Sequence, residues 1–438
     1  MIDKALEFMT LLENKGCNNY LCGGSIRDIF LDRPIKDIDI TTACNPEEIT
    51  NIAKQLGLKY IPTGIKHGTV TIIYNGIPIE VTTFRIDKEC YGRKAEVEFC
   101  CSLEQDLARR DFTINAMAMD VDGNIIDCFG RKQDIEKRLI KAVGNAEQRF
   151  EEDQLRTLRA IRFATILNFA IDTETFEAIK KTRLDKVSSE RIRDELIKIL
   201  LSSNRATGIE LLDQSGLLFK ILPEITNLKG IQQEAKSHPE GDVYTHTVLT
   251  ISSLPTEASL ELILAALLHD IGKPATITKD DKGIHFYDHE IIGAKIAEEI
   301  LRRLKFPVNT IDGVKQLILN HMKLMHFDKM RMSKKIDLIT KPYFSDLLIL
   351  FEADTLACLE PIDKIEEIYD FLREKSNRIK EAVSSLDIIN GDDITSMGIN
   401  QGPAVGVILK MVREKILEGE IKTREEALEL ALDIIENA

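Results

Sequence analysis

The sequence contains no tryptophan, its aromatic residues make up only 6% of the chain, and it has no long apolar run. The longest unbroken apolar run covers residues 262–268, whereas a membrane-spanning helix needs about 20 such residues. The first helix-like stretch carries Asp3, Glu7 and Glu13, which argues against a signal peptide. We therefore expect a cytoplasmic protein without a transmembrane helix.

Paired cysteine motifs are also missing. The eight cysteines include no C-x-x-C pair and no zinc-ribbon spacing, and they lie at positions 17, 22, 44, 90, 100, 101, 128 and 358. This pattern predicts reduced thiols in a reducing compartment, and it points to no catalytic cysteine.

Positive charge is in deficit, since the formal net charge is -14 at pH 7. Binding to nucleic-acid phosphates depends on Lys and Arg, so this balance counts against such a partner unless the cations are confined to one groove. Residues 131–162 and 302–341 are rich in Arg and Lys. By composition alone, each stretch is as compatible with a solvated helix face as with a phosphate-binding groove.

At 438 residues the chain is too long for one core, and its pattern changes near residue 132. Short β-branched segments alternate with helix-like stretches before that point, and helical periodicity dominates after it. The sequence therefore predicts an α+β protein with a mixed-sheet head (1–132) and an elongated all-helical body. We divide the body into a neck (133–204), a central body (205–360) and a C-terminal tail (361–438).

The head contains a glycine turn followed by two aspartates. In "CGGSIRD", Gly23 and Gly24 follow a short strand and precede a helix, which lets backbone N–H groups approach a phosphate. In "KDIDI", strand alternation places Asp37 and Asp39 on one face. Two adjacent carboxylates repel each other unless a cation lies between them, so the pair predicts a Mg²⁺ site for phosphoryl or nucleotidyl transfer.

Further polar residues follow in the head. Glu80, on the strand-like "IPIEVTTFR", is a candidate third carboxylate beside the pair. "DLARRDFTINAMAMD" brings together Arg109, Arg110, Asp111 and Asn115. Planar guanidinium groups chelate phosphate oxygens, so this density of arginine suits a triphosphate.

The ordered motifs "GGSIRD", "KDIDITT", "RRDFTINAMA", "EEDQLRTLRAIRF" and "SSERIRDEL" resemble those of class II tRNA nucleotidyltransferases, the CCA-adding enzymes of a superfamily that includes bacterial poly(A) polymerase. They lie in this order within residues 23–196. The resemblance implies a nucleotidyltransferase head with Mg²⁺ at Asp37 and Asp39. It also implies nucleotide contacts from Gly24, Arg27 and Arg110.

In residues 151–163, "EEDQLRTLRAIRF", Asp153, Arg156, Arg159 and Arg162 recur every three residues on a predicted helix. An accepting Asp and a donating Arg one turn apart would complement the amino group and ring nitrogen shared by cytosine and adenine. Uracil and guanine present the reverse pattern and would leave polar groups unpaired. The family resemblance implies this base-reading role for the Asp and first Arg, with the later arginines near the phosphates; surface ion pairs on an amphipathic helix are the alternative.

The segment "IDKECYGRKAEVEFCCSLEQ" between Arg85 and Asp106, with Tyr91, Gly92 and Arg93, resembles the flexible loop that full CCA-adding enzymes need to switch from C to A. Enzymes that add only CC lack this loop. Its presence therefore argues against that subtype and leaves an A-adding enzyme open.

A second constellation lies in the body. Its candidate metal ligands are His and Asp residues in a helical region, namely His246, His269, Asp270, His289, His321 and Asp354. The apolar run 262–268 predicts that His269 and Asp270 lie where a buried helix ends. Imidazole nitrogen with carboxylate oxygen suits a transition metal or Mg²⁺.

This order resembles the HD superfamily of metal-dependent phosphohydrolases, in which His289 and His321 correspond to positions that some members use for a second metal. The resemblance implies a divalent metal of open identity and phosphatase or 2′,3′-cyclic phosphodiesterase activity. A decayed domain kept for its fold is the alternative.

Together these features predict template-independent addition of CCA to tRNA 3′ ends from CTP and ATP. The partner would be tRNA, recognised by the shape and phosphates of its acceptor and T arms. An A-adding enzyme, a poly(A) polymerase and an HD hydrolase with an RNA-binding head remain alternatives.

Overall fold

The computed structural model describes residues 1–65, 68–91, 94–100, 102–128, 130, 132–234, 239–281, 283–358, 362–384 and 388–437. The chain divides into two compact units, Met1–Pro223 and Glu224–Ala438. Apolar side chains are buried in both of them.

Strands are concentrated in the first part of the first unit. They are β1 (Asn19–Cys22), β2 (Ile38–Thr42), β3 (Lys59–Gly64), β4 (Thr69–Tyr74), β5 (Ile77–Thr83), β6 (Arg85–Tyr91), β7 (Lys94–Phe99), β8 (Ala118–Met119), β9 (Ile125–Ile126), β10 (Leu139–Ile140) and β11 (Ala170–Ile171). The main sheet has the order β3-β4-β5-β2-β1-β8-β9, and its β2–β5 pair is parallel while the other pairs are antiparallel. A mixed sheet thus forms the head, as predicted.

Helices surround this sheet and then dominate. Those of the first unit are α1 (Ile2–Glu13), α2 (Gly24–Phe30), α3 (Pro46–Gln55), α4 (Leu103–Ala108), α5 (Lys132–Glu136), α6 (Ala146–Glu152), α7 (Leu155–Leu167), α8 (Thr173–Lys181), α9 (Ser189–Leu200), α10 (Arg205–Gln214) and α11 (Leu217–Ile221). A 3₁₀ turn covers Thr113–Asn115.

The sheet places carboxylates side by side. On β2, Ile38 and Ile40 are buried, whereas Asp39 between them is only partly buried. Asp39 is in register with Glu80 on the parallel neighbour β5. Asp37 immediately precedes β2 and is exposed. The sheet therefore brings the third predicted carboxylate next to the pair.

The structure departs from the sequence-based expectation at two places in this unit. The region resembling a flexible loop contains the antiparallel β6–β7 hairpin, while Gly92 and Arg93 lie outside the described residues. The prediction that every cysteine is reduced was wrong, because Cys17 and Cys44 form a disulfide. In the antiparallel β1–β2 pair Asn19 lies opposite Thr42, so Cys17, two residues before Asn19, comes opposite Cys44, two residues after Thr42. The cysteine pairing therefore results from the sheet register and leaves no motif in the sequence.

The second unit is mostly helical. Its helices are α12 (Pro223–Thr226, which starts at the division), α13 (Val243–Ser253), α14 (Leu260–Leu268), α15 (Lys273–Thr276), α16 (His289–Arg303), α17 (Val308–Asn320), α18 (Met332–Ile339), α19 (Phe344–Ala357), α20 (Asp363–Ser384), α21 (Gly391–Ser396), α22 (Pro403–Glu418) and α23 (Arg424–Glu436). A 3₁₀ helix covers His321–His326.

Strands also occur after residue 133, where none was predicted. They are the short β10 and β11 of the first unit, and β12 (Ile277–Asp280) and β13 (Gly283–Phe286) of the second. β12 and β13 form a hairpin, with the glycine of "DDKGIH" at a positive φ of 129°. Strands this short leave little alternation in a sequence.

Helix α14 ends at Leu268, and His269 follows as its C-cap, as the apolar run predicted. Near the C-terminus, α21, α22 and α23 bury a small separate cluster of aliphatic side chains. Among the described residues, no helix is both long and apolar enough to cross a membrane.

Candidate functional site

A cavity of about 630 Å³ in the first unit gathers all nine residues predicted for the head and neck site. These are Gly24, Arg27, Asp37, Asp39, Arg110, Asp153, Arg156, Arg159 and Arg162. They come from α2, from β2 and the residue just before it, from the segment after α4, and from α7 and the segment just before it. The fold therefore assembles them from distant parts of the chain. The structure places eight arginines and five acidic residues in this lining. Arg109 belongs to the arginine-rich segment predicted to suit a triphosphate, whereas Arg85 and Arg191 were not predicted for the site. Positive charge is thus concentrated in a chain that is acidic on average.

The glycine turn allows the close approach of the charged residues. Gly23 has φ +73°, and a Cβ there would lie 3.0 Å from Arg110 Nη1 and 3.5 Å from Asp39 Oδ2. A side chain at this position would therefore meet both strain and a crowded cavity wall.

The carboxylates of the cavity fit a cation. Burial first, and then the nearby Glu80 and Asp37, raise the pKa of Asp39 to about 6 against the opposing effect of Arg110. A carboxylate that resists ionisation beside two others is stabilised in its charged form by a bound cation. Oxygen ligands of this kind suit Mg²⁺.

Asp106 is a buried residue that the sequence analysis did not assign to the site. Its Oδ1 accepts hydrogen bonds from Arg109 Nε and Nη2 at 3.0 and 2.7 Å, and its Oδ2 accepts one from Arg110 Nη2 at 3.3 Å. Burial opposes ionisation, but the two arginines lower the pKa of this carboxyl below its ordinary value. Asp106 therefore holds both arginines at the cavity wall. Its place four residues before Arg110, in "DLARR", was the available signal.

Arg27 and Arg159 are also held in place. Arg27 donates to Asn115 Oδ1 at 2.8 Å and pairs with Asp28. The ring of Phe163 lies 5.2, 5.5 and 4.3 Å from the guanidinium carbons of Arg27, Arg159 and Arg162. Cation–π contacts of this kind favour packed arginine side chains over mobile ones.

Asp111 anchors helix α7 to the head. Its Oδ2 accepts from Arg159 Nε at 2.8 Å, and its Oδ1 accepts from the Phe112 N–H and Asn115 Nδ2 at 2.8 and 3.1 Å. Burial would raise the pKa of Asp111, but the charge of Arg159 and these hydrogen bonds lower it from 3.8 to about 2.

We expect Asp111→Asn to destabilise the first unit by about 2 kcal/mol at pH 7, because the shift makes the ionised carboxylate a stabilising group. Since the folded-state pKa is depressed, this stability is present above the unfolded pKa and is lost as pH falls from about 4 to about 2. Urea unfolding of both proteins across this range measures it. Equal stability of variant and parent at pH 7 would contradict the assignment.

The base-reading candidates lie at a break between two helices, so the predicted single helix over 151–163 was wrong. Asp153 has extended backbone angles (φ -146°, ψ 101°) between α6 and α7, and its Oδ1 accepts from the Leu155 N–H at 3.1 Å. A side-chain oxygen that satisfies a first-turn N–H stabilises a new helix start. The break places the carboxylate in the cavity wall.

Both candidates have protein partners. Asp153 Oδ2 accepts from Arg191 Nη2 at 2.9 Å. Arg156 Nη1 donates to Glu152 at 2.7 Å, and its Nη2 donates to the Arg109 carbonyl at 3.2 Å. Arg191 belongs to "SSERIRDEL", a motif whose sequence alone predicts no role for this residue. The same motif contributes Glu195, which pairs with Arg162 at 3.1 Å.

The six predicted ligands in the second unit come together as two groups. His246, His269 and Asp354 form one, and Asp270, His289 and His321 form the other. Within each group the candidate ligand atoms lie within 4.8 Å of one another.

Ring nitrogens converge in this centre. The Nε2 atoms of His246 and His269 are 3.3 Å apart, and those of His289 and His321 are 3.2 Å apart. His246 Nε2 is 2.8 Å from Asp354 Oδ1, and His289 Nε2 is 3.5 Å from Asp270 Oδ1. Imidazole nitrogens packed this closely with carboxylates match the ligands that divalent transition metals take. The residues therefore fit a metal.

Close backbone packing brings the two groups together. A Cβ on Gly272, just before α15, would collide with the His289 carbonyl oxygen and lie 2.7 Å from the Gly293 nitrogen. Only glycine permits this approach of the segment after His269 and Asp270 to the start of α16. Lys273 follows, with its Nζ 2.6 Å from both Asp270 Oδ2 and Gln233 Oε1. The sequence analysis missed Gln233, Lys273 and the buried Glu240, which pairs with His246.

Comparison with known families gives three matching regions. Residues 19–141 match "Poly A polymerase head domain", and residues 168–229 match "Probable RNA and SrmB- binding site of polymerase A". Residues 243–358 match "HD domain". These regions contain the carboxylates of the head and all six ligand candidates of the second unit.

Curated proteins similar to the whole chain include the CCA-adding enzyme of Lactobacillus johnsonii, 34% identical over 431 residues, with 97% of this chain and 95% of the relative covered. The CCA-adding enzyme of Ligilactobacillus salivarius is also 34% identical, with 99% and 95% covered.

Solved structures give the same picture. The chain resembles the crystal structure of Bacillus stearothermophilus CCA-adding enzyme in complex with CTP, with TM-score 0.76, 27% identity, and 99% and 98% of the two chains covered. It shares its fold with Thermotoga maritima CCA-adding enzyme complexed with tRNA, with TM-score 0.63, 23% identity, and 98% and 94% covered.

Proposed function

Because the chain belongs to the CCA-adding enzymes, we propose that it adds C, C and A to the 3′ end of tRNA from CTP and ATP, without a nucleic-acid template and with release of pyrophosphate. The observation that carries this proposal is the cavity that joins Asp37 and Asp39 to a wall of arginines and to the Asp153–Arg156 pair. We propose that metal ligands, phosphate ligands and base-reading groups surround this one space, which is large enough for a nucleotide.

We assign Asp37 and Asp39 as the Mg²⁺ ligands of the head, with Glu80 beside them. When bound there, Mg²⁺ would neutralise the triphosphate and favour ionisation of the attacking hydroxyl. Arg27 and Arg110, each fixed by the contacts described above, bind phosphate oxygens. Gly24 starts α2 beside Arg27 and leaves room at the cavity wall, since a Cβ there would lie 3.3 Å from Arg27 Nη2.

We assign Asp153 and Arg156 to the nucleobase, with Arg159 and Arg162 nearer the phosphates. Arg191 pairs with Asp153, and Glu152 pairs with Arg156. These ion pairs fix the orientation of the two base-reading side chains before a base binds. Preorganised donors and acceptors reject a base whose pattern is reversed, because a buried polar group is then left unpaired. We also propose four functional divisions of the chain, namely the head (1–132), the neck (133–204), the central body (205–360) and the tail (361–438).

Pyrophosphate counting tests this function. For each molecule of tRNA lacking CCA, three pyrophosphates should be released from the nucleotides when CTP and ATP are present together, two with CTP alone and none with ATP alone. Release that continues with ATP alone would instead indicate a poly(A) polymerase. A single release, only from tRNA ending in CC, would indicate an A-adding enzyme.

A second activity is proposed for the HD region, because its two ligand groups are complete in the structure. We propose a metal-dependent phosphohydrolase that acts on phosphate monoesters or 2′,3′-cyclic phosphates of RNA ends. Hydrolysis of both substrate types with Mg²⁺, Mn²⁺, Co²⁺ and Ni²⁺ tests it, with Asp354→Asn as the inactive control. No hydrolysis with any of these metals would indicate a domain retained for its fold.

The two ligand groups predict two metals per HD region. We expect His321→Ala to lower the bound metal from two ions to one, because it removes a ligand only from the group with Asp270 and His289. Metal content per chain after dialysis measures this. Retention of both ions by the variant would show that the second group is not a metal site.

A further inference from the structure

Three of the four clustered histidines share one arrangement of the ring nitrogen that faces away from the cluster. His269 Nδ1 lies 2.9 Å from the Ala266 carbonyl oxygen. His289 Nδ1 lies 2.8 Å from the carbonyl of Phe286, and His321 Nδ1 lies 2.7 Å from that of Ile318. A carbonyl only accepts hydrogen bonds, so each Nδ1 carries the proton and each Nε2 lone pair faces the cluster.

His246 departs from this arrangement. Its Nδ1 lies 2.8 Å from Oε1 of Glu240, whose side chain is only 2% exposed. The hydrogen-bond partner of this Nδ1 is therefore a buried carboxylate in place of a backbone carbonyl. Its Nε2 lies towards His269 and Asp354 and so faces the cluster, as the Nε2 atoms of the other three rings do.

The position of Glu240 is fixed by the start of α13. Asp242 caps this helix by accepting from the Thr245 N–H at 2.9 Å, and it also accepts from the Gly230 N–H at 2.6 Å. The Val243 N–H donates to the Ile231 carbonyl at 3.1 Å. The turn that carries Glu240 is thus tied both to the helix bearing His246 and to the preceding loop.

We propose that Glu240 is a positioning residue. It increases the affinity for the metal held by His246, His269 and Asp354, and it does not affect the affinity for the metal of the other group. An anionic acceptor on Nδ1–H fixes the tautomer and makes Nε2 a stronger donor to a metal than a carbonyl partner does. This inference rests on the proposed metal centre of the HD region. It adds a residue and an asymmetry between the two ions.

A different arrangement would place a cation on the other side of the same ring. Cys358 Sγ lies 3.8 Å from His246 Nδ1, so Glu240, His246 and Cys358 also form a candidate ligand group. A neutral imidazole has one lone pair, however, and the three neighbouring histidines all present Nε2. The geometry therefore favours a proton on His246 Nδ1.

Metal titration of the full-length chain tests the proposal, with Asp39→Asn present in every protein to weaken the head site. Co²⁺ serves as the probe, because its visible absorption reports each ligand set. Relative to this parent, Glu240→Gln and Glu240→Ala should weaken one of the two bound equivalents by about 10- to 100-fold, with the larger loss in the Ala variant. The second equivalent should be unchanged.

Glu290→Gln is the matched control. Its carboxylate lies 3.8 Å from His289 Nδ1, but that nitrogen already donates to the Phe286 carbonyl, so Co²⁺ affinity should not change. Thermal unfolding of the metal-free proteins separates loss of affinity from loss of fold. A correctly folded Glu240→Ala protein with the parent's affinity would overturn the proposal.

Cys358→Ala distinguishes the two sides of the ring. Parental Co²⁺ affinity in this variant supports the proposal, whereas loss of one equivalent would place the cation against Nδ1 and overturn it. A parent protein that binds no Co²⁺ in the HD region would instead remove the proposed metal centre itself. Failure of the inference and failure of the underlying function therefore give different results.

Discussion

Replacing Asp39 with Asn should lower CTP and ATP incorporation into tRNA by about 1,000-fold or more. The carboxylate lies on β2, beside Glu80 and near Asp37, in the cavity lined by arginines. Metal-assisted charge stabilisation contributes several kcal/mol to such transfers, and each 1.36 kcal/mol corresponds to tenfold in rate. Single-turnover incorporation of labelled nucleotide into tRNA measures the effect.

The control for this variant lies in the second unit. Asp354→Asn should leave nucleotide incorporation unchanged while it weakens metal binding by the HD region, and Asp39→Asn should show the opposite pattern. An Asp39→Asn protein that folds and incorporates nucleotides within tenfold of the parent would exclude Asp39 as a metal ligand of the reaction.

Replacing Asp153 with Ala should remove the selectivity for CTP and ATP over UTP and GTP. Sites built on buried hydrogen bonds discriminate strongly, so we expect a preference of about 1,000-fold or more in the parent to fall to within about tenfold. The loss has two causes, because Ala removes the acceptor and leaves Arg191 without its 2.9 Å partner. Incorporation of each nucleotide singly gives the four rates.

Glu151→Gln is the matched control for Asp153→Ala. Glu151 lies two residues earlier in the same motif, but it is exposed and does not line the cavity. The Glu151→Gln variant should select CTP and ATP over UTP and GTP as strongly as the parent does. Unchanged selectivity in a folded Asp153→Ala protein would show that another residue reads the base.

Much of the head site could be predicted because local patterns encode it. Two glycines before a helix predict a turn there. In a strand, the alternation of Asp37 and Asp39 with Ile38 and Ile40 predicts that the two carboxylates lie on one face. The apolar run of α14 likewise predicted where His269 and Asp270 lie. In each case neighbouring residues in the sequence determine the relevant structure.

The features that were missed depend on contacts between distant residues. Cys17 meets Cys44 only because β1 and β2 pair in antiparallel register. Asp153, at the break between α6 and α7, accepts a hydrogen bond from Arg191, which lies 38 positions later in the chain. The sequence hides this break, because Asp153 lies three residues before Arg156 and so continues the three-residue spacing of the arginines that follow it. Glu240 left no signal in the sequence, because its contact with His246 depends on how the folded chain buries the two side chains.

The central claim is that one site adds C, C and A in order and then stops. Its most direct test is incorporation of labelled CTP and ATP, separately and together, into tRNA transcripts ending before CCA, after the first C, and after CC. We predict two, one and no additions from CTP alone, and addition from ATP alone only to the CC-ended transcript. With both nucleotides, every transcript should end in CCA. Incorporation of A only, into the CC-ended transcript and with no use of CTP on any of the three, would contradict this account.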